Sequence, residues 1–83
     1  DEARVLLRIG GGAQSAFSYP TSITLLGGSI FVCNRDSHKI RTVQINNSTY
    51  AINDYRTFSE PVYKYFRVEG REYALLDSGV YEI

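Results

Sequence analysis

Cys33 and His38 are the only cysteine and the only histidine in the chain. A thiol beside an imidazole is the smallest set that makes a thiolate nucleophile, because the imidazole accepts the thiol proton and its charge then favours the thiolate. Their setting argues for a plainer role. Cys33 ends the apolar run SIFVC, where a small buried hydrophobe is expected, and His38 sits in a polar turn. The acidic residues, among them Asp36, Asp54, Glu60, Glu69, Glu72, Asp77 and Glu82, stand next to turns or beside arginines. No HExxH, CxxC, DxDxDG, GxSxG or P-loop arrangement occurs, so metal, hydrolase and nucleotide chemistry have no motif to rest on. Gly10-Gly11-Gly12 lacks the Lys-Ser/Thr and helix of a phosphate cradle and reads as a break. No cofactor, no metal and no enzymatic activity is expected.

A second set of residues points to binding. Arg56, Lys64, Arg67 and Arg71 lie beside Tyr55, Tyr63, Tyr65 and Tyr73, a mixture with which small β-barrels stack bases and hold phosphates. A small nucleic-acid-binding β-barrel is therefore the alternative function. It is opposed by the net charge of zero and by Glu60, Glu69 and Glu72 among the cations, which favour ion pairs across a solvated face. The protein-binding candidates are Tyr55, Tyr63, Tyr65, Arg67, Tyr73 and Tyr81. Tyrosine supplies contact area with few rotatable bonds and a hydroxyl for the rim, which suits protein recognition. The same rings would also serve to cover a thin core. The expected partner is another protein or further copies of this chain.

Strands must position these side chains. Residues 3–9 (ARVLLRI) are a short apolar run that stops at the three glycines and read as a strand. Residues 23–26 and 30–33 flank a Gly27-Gly28 turn, and the polar loop 34–38 leads to a strand over 39–45. Asn46-Asn47 turns the chain into a strand over 48–52, Asn53-Asp54 ends it, and 55–61 is the least regular stretch. Val62–Val68 alternates, with Val62, Lys64, Phe66 and Val68 on one face and Tyr63, Tyr65 and Arg67 on the other. Glu69-Gly70 and Asp77-Ser78-Gly79 turn the chain into strands over 71–76 and 80–83. No stretch carries the 3.6-residue periodicity of a helix, and no apolar run is long enough for a transmembrane helix. The expected fold is all-β, a single small domain in which an antiparallel meander forms a sandwich or partly open barrel.

Within residues 8–45, Gly10 to Gly12, Phe17, Pro20, Gly27-Gly28, Phe31-Val32, the loop Asn34 to His38 and Ile40-Arg41 together resemble one repeat of the NHL family of β-propellers. The likeness spans under half of the chain, and Cys33-Asn34 stands where family members usually place an Asp. It implies a four-stranded blade, and thus an alternative architecture of two propeller-like blades belonging to a fragment or an oligomer.

Eighty-three residues hide only about 60% of the surface that the unfolded chain exposes. A lone cysteine provides no disulfide staple, so association with another chain is the natural source of extra stability. Methionine is absent even from position 1. This reads as a trimmed N-terminus and leans toward a secreted or extracytoplasmic protein. Asn46-Asn47-Ser48-Thr49 holds two overlapping N-x-S/T acceptors in an exposed turn, which matter only in a eukaryotic secretory setting.

Overall fold

The computed structural model describes residues 19–47 and 49–83. The expected strand over 3–9, the glycine break and Phe17 lie outside the described residues. Among the described residues seven strands follow one another: β1 (Pro20–Leu26), β2 (Ser29–Asn34), β3 (Lys39–Asn46), β4 (Thr49–Thr57), β5 (Val62–Val68), β6 (Arg71–Leu76) and β7 (Gly79–Glu82). They form two antiparallel meanders, a four-stranded sheet in the order β1-β2-β3-β4 and a three-stranded sheet in the order β5-β6-β7. The all-β expectation holds, and the sheets stay separate without closing into a barrel. Among the described residues no helix is long and apolar enough to cross a membrane.

Short turns set the registers. Leu26 pairs with Ser29, so Gly27-Gly28 is a two-residue hairpin loop with φ of 53° and 82°. Positive φ at both positions gives a twist that matches the flanking strands, and glycine adopts it without a Cβ clash. Asn47 takes the same left-handed conformation between Asn46 and Thr49, at φ 55°. Asn is among the few side chains that tolerate it.

The core lies between the two sheets. Phe31, Cys33 and Ile40 of the first sheet meet Val62, Tyr65, Ala74 and Leu76 of the second, with Leu26, Tyr55, Phe58 and Ile83 packed at its margin. Side-chain hydroxyls of β1 cap the edge of the second sheet. Ser22 donates to the Tyr63 carbonyl at 2.7 Å, Thr24 to the Tyr65 carbonyl at 2.7 Å, and the Thr21 hydroxyl lies 3.1 Å from the Tyr63 carbonyl and 3.2 Å from that of Val62. Carbonyls on the free edge of β5 thus gain donors from β1. An open strand edge would otherwise be a template for pairing with another chain.

Two expectations are corrected. The strand expected to stop at Ile52 runs on to Thr57, through Asn53-Asp54 and into the stretch expected to be irregular. A register shift at Ile40/Arg41 absorbs one extra residue of β4. Asp54 is then held by Lys39 at 3.0 Å and Arg41 at 2.9 Å, and Tyr55 turns inward onto Phe31. Tertiary contacts override the weak strand propensity of the Asn-Asp pair.

The second correction concerns β5. Val62 pairs with Leu76 but Lys64 pairs with Leu75, so Tyr63 is an extra residue and the period of two is broken there. Val62 and Tyr65 consequently face the same core. The expected common face of Tyr63 and Tyr65 does not exist. Two hydroxyls from β1 on the Tyr63 carbonyl, and Asp77 on the Tyr63 hydroxyl at 3.1 Å, hold this bulge in place.

Candidate protein-binding surface

Tyr55, Tyr65 and Arg67 do come together, but as part of the inter-sheet packing. Tyr65 is fully buried, stacked on Phe31 with ring centroids 4.6 Å apart, and Tyr55 meets both rings edge-on at 5.0 and 5.8 Å. Edge-on and offset rings match positive ring edges to negative faces. The two hydroxyls converge on one carboxylate. Tyr55 and Tyr65 both donate to Glu72 Oε1, Tyr65 at 2.7 Å, and Arg67 Nε donates to the Tyr65 hydroxyl at 2.8 Å. Guanidinium nitrogens of Arg56 and Arg67 stand 3.7 Å from the carboxylate oxygens.

The hydrogen bond from Tyr55, then that from Tyr65, holds the Glu72 carboxyl below its ordinary range. Burial, followed by the bond to Glu72, pushes the Tyr65 hydroxyl well above its usual value. The cluster ties β4 of one sheet to β5 and β6 of the other. Its chemistry is that of a polar clasp at the margin of the core, in which the Tyr65 ring is buried, Tyr55 is half-buried and Arg67 stays exposed.

The remaining candidates are dispersed. Tyr63 is half-buried on its bulge and spends its hydroxyl on Asp77, whose carboxylate raises the phenol's pKa. Tyr81 is exposed on β7, with its hydroxyl 2.6 Å from Ser78 Oγ. Ser78 Oγ in turn donates to Glu60 at 2.9 Å, so Tyr81 is the donor to Ser78. Tyr73 stacks on Phe66 at 5.5 Å with the rings 15° apart. Cys33 is buried on the core face, where desolvation pushes its thiol pKa up, away from nucleophilic use. His38 sits at φ 58° in the β2–β3 loop, its carbonyl accepting the Phe58 N–H at 2.9 Å.

The stacked Phe66–Tyr73 pair marks a surface that the tyrosine count does not reveal. Cross-strand register puts Lys64 beside Leu75 and Val80, Phe66 beside Tyr73 and Glu82, and Val68 beside Arg71, all on the face of the second sheet turned away from the core. Val68, Leu75 and Val80 are exposed there, Val80 to 60%. The first sheet shows the same property. Its outer face carries Ile23, Leu25, Ile45 and Tyr50, all exposed, around a smaller buried cluster of Val32 and Val43 with Ile30 and Ile52. The readable signal for the second sheet is RE-Tyr73-Ala74-Leu75-Leu76, where residues of both parities are apolar. No family model, curated protein or solved structure matches this chain.

Proposed function

We propose that the protein is a non-enzymatic protein-binding or assembly module, which associates with copies of itself or with another protein through uncovered sheet faces and open strand edges. The observation that carries this reading is that both sheets are apolar on both faces. An antiparallel sheet with one wet face alternates apolar residues inward with polar residues outward. Here Ile23, Leu25 and Ile45 on one sheet and Val68, Leu75 and Val80 on the other remain exposed. Contiguous apolar patches of this kind mark contact surfaces. The buried, protonated Cys33 thiol supports the non-enzymatic side of the reading.

The resemblance of residues 8–45 to an NHL repeat would place the chain in a larger assembly of blades. Of the residues that carry that resemblance, Pro20 to Arg41 lie on β1, β2 and β3 and the turns between them. A closed propeller uses four to eight blades. In that architecture further sheets would cover the outer faces.

Light scattering coupled to size exclusion, over a dilution series, tests the reading. An assembly module gives a mass several times the 9.4 kDa of one chain at high concentration. A monomer at every concentration, whose solubility is indifferent to Leu75→Lys with Val80→Lys, overturns it.

A further inference from the structure

Among the described residues the two sheets have four edges, which are treated unequally. The edge carbonyls of β5 take hydroxyl donors from Thr21, Ser22 and Thr24 of β1, which packs against it. β7 is only four residues long, and short edge strands are one of the ways proteins blunt an edge. Among the described residues β4 is the longest strand, with nine residues and no proline, and it is the outermost strand of its sheet.

The backbone directions along β4 follow from its hairpin. Asn46 and Thr49 flank a two-residue loop, a geometry whose closing pair is a hydrogen-bonded one, and antiparallel pairs alternate thereafter between bonded and non-bonded. Thr49, Ala51 and Asn53 therefore turn their N–H and C=O toward β3. Tyr50, Ile52 and Asp54 turn theirs outward. The turn ends this row on one side and the register shift beyond Asp54 ends it on the other.

That window is symmetric about Ile52, and we infer that β4 pairs with β4 of a second copy of this chain, antiparallel, across a two-fold axis at Ile52. The inference rests on the assembly reading and names its partner and surface. Within the window only this register uses all three outward residues, setting Tyr50 against the other copy's Asp54 and Ile52 against its own equivalent. Each of the three pairs exchanges two backbone hydrogen bonds.

The side chains are compatible on the same terms. Tyr50, Ile52 and Asp54 pair with Ile45, Val43 and Arg41, which places all three on the outer face. Asp54, already held by Lys39 and Arg41, meets a tyrosine rather than a like charge. Ile52 meets Ile52 and joins the two outer apolar clusters, so one four-stranded sheet becomes an eight-stranded sheet. The contact is isologous and closes on itself, and the net charge of zero places no long-range repulsion between the copies.

The test uses the full chain in two measurements. An interface this short is at the small end of specific contacts, so a dimer that dissociates on dilution is expected by light scattering. Hydrogen exchange on the same series should show protection of the Tyr50, Ile52 and Asp54 amides rising with concentration, while those of Val80 and Glu82 stay unchanged. Tyr50→Pro removes an outward N–H that β3 does not use. It should abolish the dimer and leave the far-UV circular dichroism intact, whereas Leu75→Lys with Val80→Lys should leave the dimer in place. A monomer at all concentrations overturns both this inference and self-assembly. An oligomer that tolerates Tyr50→Pro but falls apart with Leu75→Lys and Val80→Lys overturns the β4 contact alone. Should Tyr50→Pro fail to fold, the exchange data decide, and concentration-independent amides at 50, 52 and 54 overturn the contact.

Discussion

The hydroxyl of Tyr65 lies 2.7 Å from Glu72 Oε1, although the residue directly opposite Glu72 on β5 is Arg67 and the one opposite Tyr65 is Ala74. The contact is diagonal, which a ring as long as tyrosine can span. It brings one carboxylate to two hydroxyls from different sheets. Glu72→Gln keeps the shape of the side chain but replaces a charged acceptor with a neutral one and removes the partner of Arg56 and Arg67. The expected cost is about 2 kcal/mol, at the level of a charged hydrogen bond in a partly buried site. A lower urea midpoint at unchanged m-value would show it, and an unchanged midpoint would mean that the clasp contributes nothing.

The same carboxyl makes stability depend on acid. Its folded pKa lies below the ordinary 4.5, so the folded form binds the proton less tightly than the unfolded chain does. The contribution is therefore present above 4.5 and is lost as the pH falls through the folded value. Asp54, lowered chiefly by its hydrogen bond from Lys39, acts in the same direction but is exposed and screened. The melting temperature should be level near neutrality and fall below pH 4.5, with a shallower fall in Glu72→Gln. Equal slopes in the two proteins would assign the acid sensitivity to other groups.

Tyr65 is a core residue, and its substitutions should separate packing from hydrogen bonding. Tyr65→Phe keeps the ring on Phe31 and leaves Glu72 without one donor, for an expected loss of about 1 kcal/mol. Tyr65→Ser removes a fully buried ring, a class of change that costs about 3–5 kcal/mol. Small domains hold only about 5 kcal/mol or a little more in total. Tyr65→Ser should therefore lose most near-UV circular dichroism at room temperature while Tyr65→Phe retains it.

How far these features were legible in the sequence depends on whether local or tertiary forces decide them. Gly27-Gly28, Asn46-Asn47 and Glu69-Gly70 fix hairpins by backbone conformation alone, and the strands around them fall where the turns require. The bulge at Tyr63 is different. Hydroxyls of Thr21 and Ser22, some forty residues away in the chain, hold it, and no periodicity within Val62–Val68 can report a partner at that distance. A single inserted residue then moved Tyr65 from the expected surface to the core. The extension of β4 past Asp54 has a similar origin in Lys39, Arg41 and Phe31. The outer-face patch was partly readable, since Leu75 and Leu76 are both apolar, but tyrosines drew attention to the side chains that the clasp consumes.

Sealing of the β5 edge by β1 should be measurable at a single atom. Thr24→Val preserves β-branching and volume but leaves the Tyr65 carbonyl without the donor that Thr24 supplies at 2.7 Å. An unpaired carbonyl in a partly buried site costs about 1–3 kcal/mol. Thr24→Ser keeps the donor and should recover most of that loss. Equal stability of the Val and Ser variants would mean that water replaces the hydroxyl and that the edge is open.

Glu69 stands at φ 51° in the turn that joins β5 to β6, between the paired residues Val68 and Arg71. Gly70 follows at 78°. Two successive left-handed residues are what a two-residue hairpin of this twist requires, and Asn-Gly is the favoured pair for it. A glutamate in that conformation brings its Cβ toward its own carbonyl at a cost of roughly 1–2 kcal/mol, less for Asn. Among the described residues no hydrogen bond or ion pair offsets this for Glu69. Glu69→Asn should therefore stabilise the protein, by about 0.5–1 kcal/mol, and raise its melting temperature without moving any strand. Glu69→Val, with a β-branched side chain at the same φ, should lower it. A fall with Asn would show that the glutamate side chain holds an interaction in solution worth more than the backbone strain it imposes.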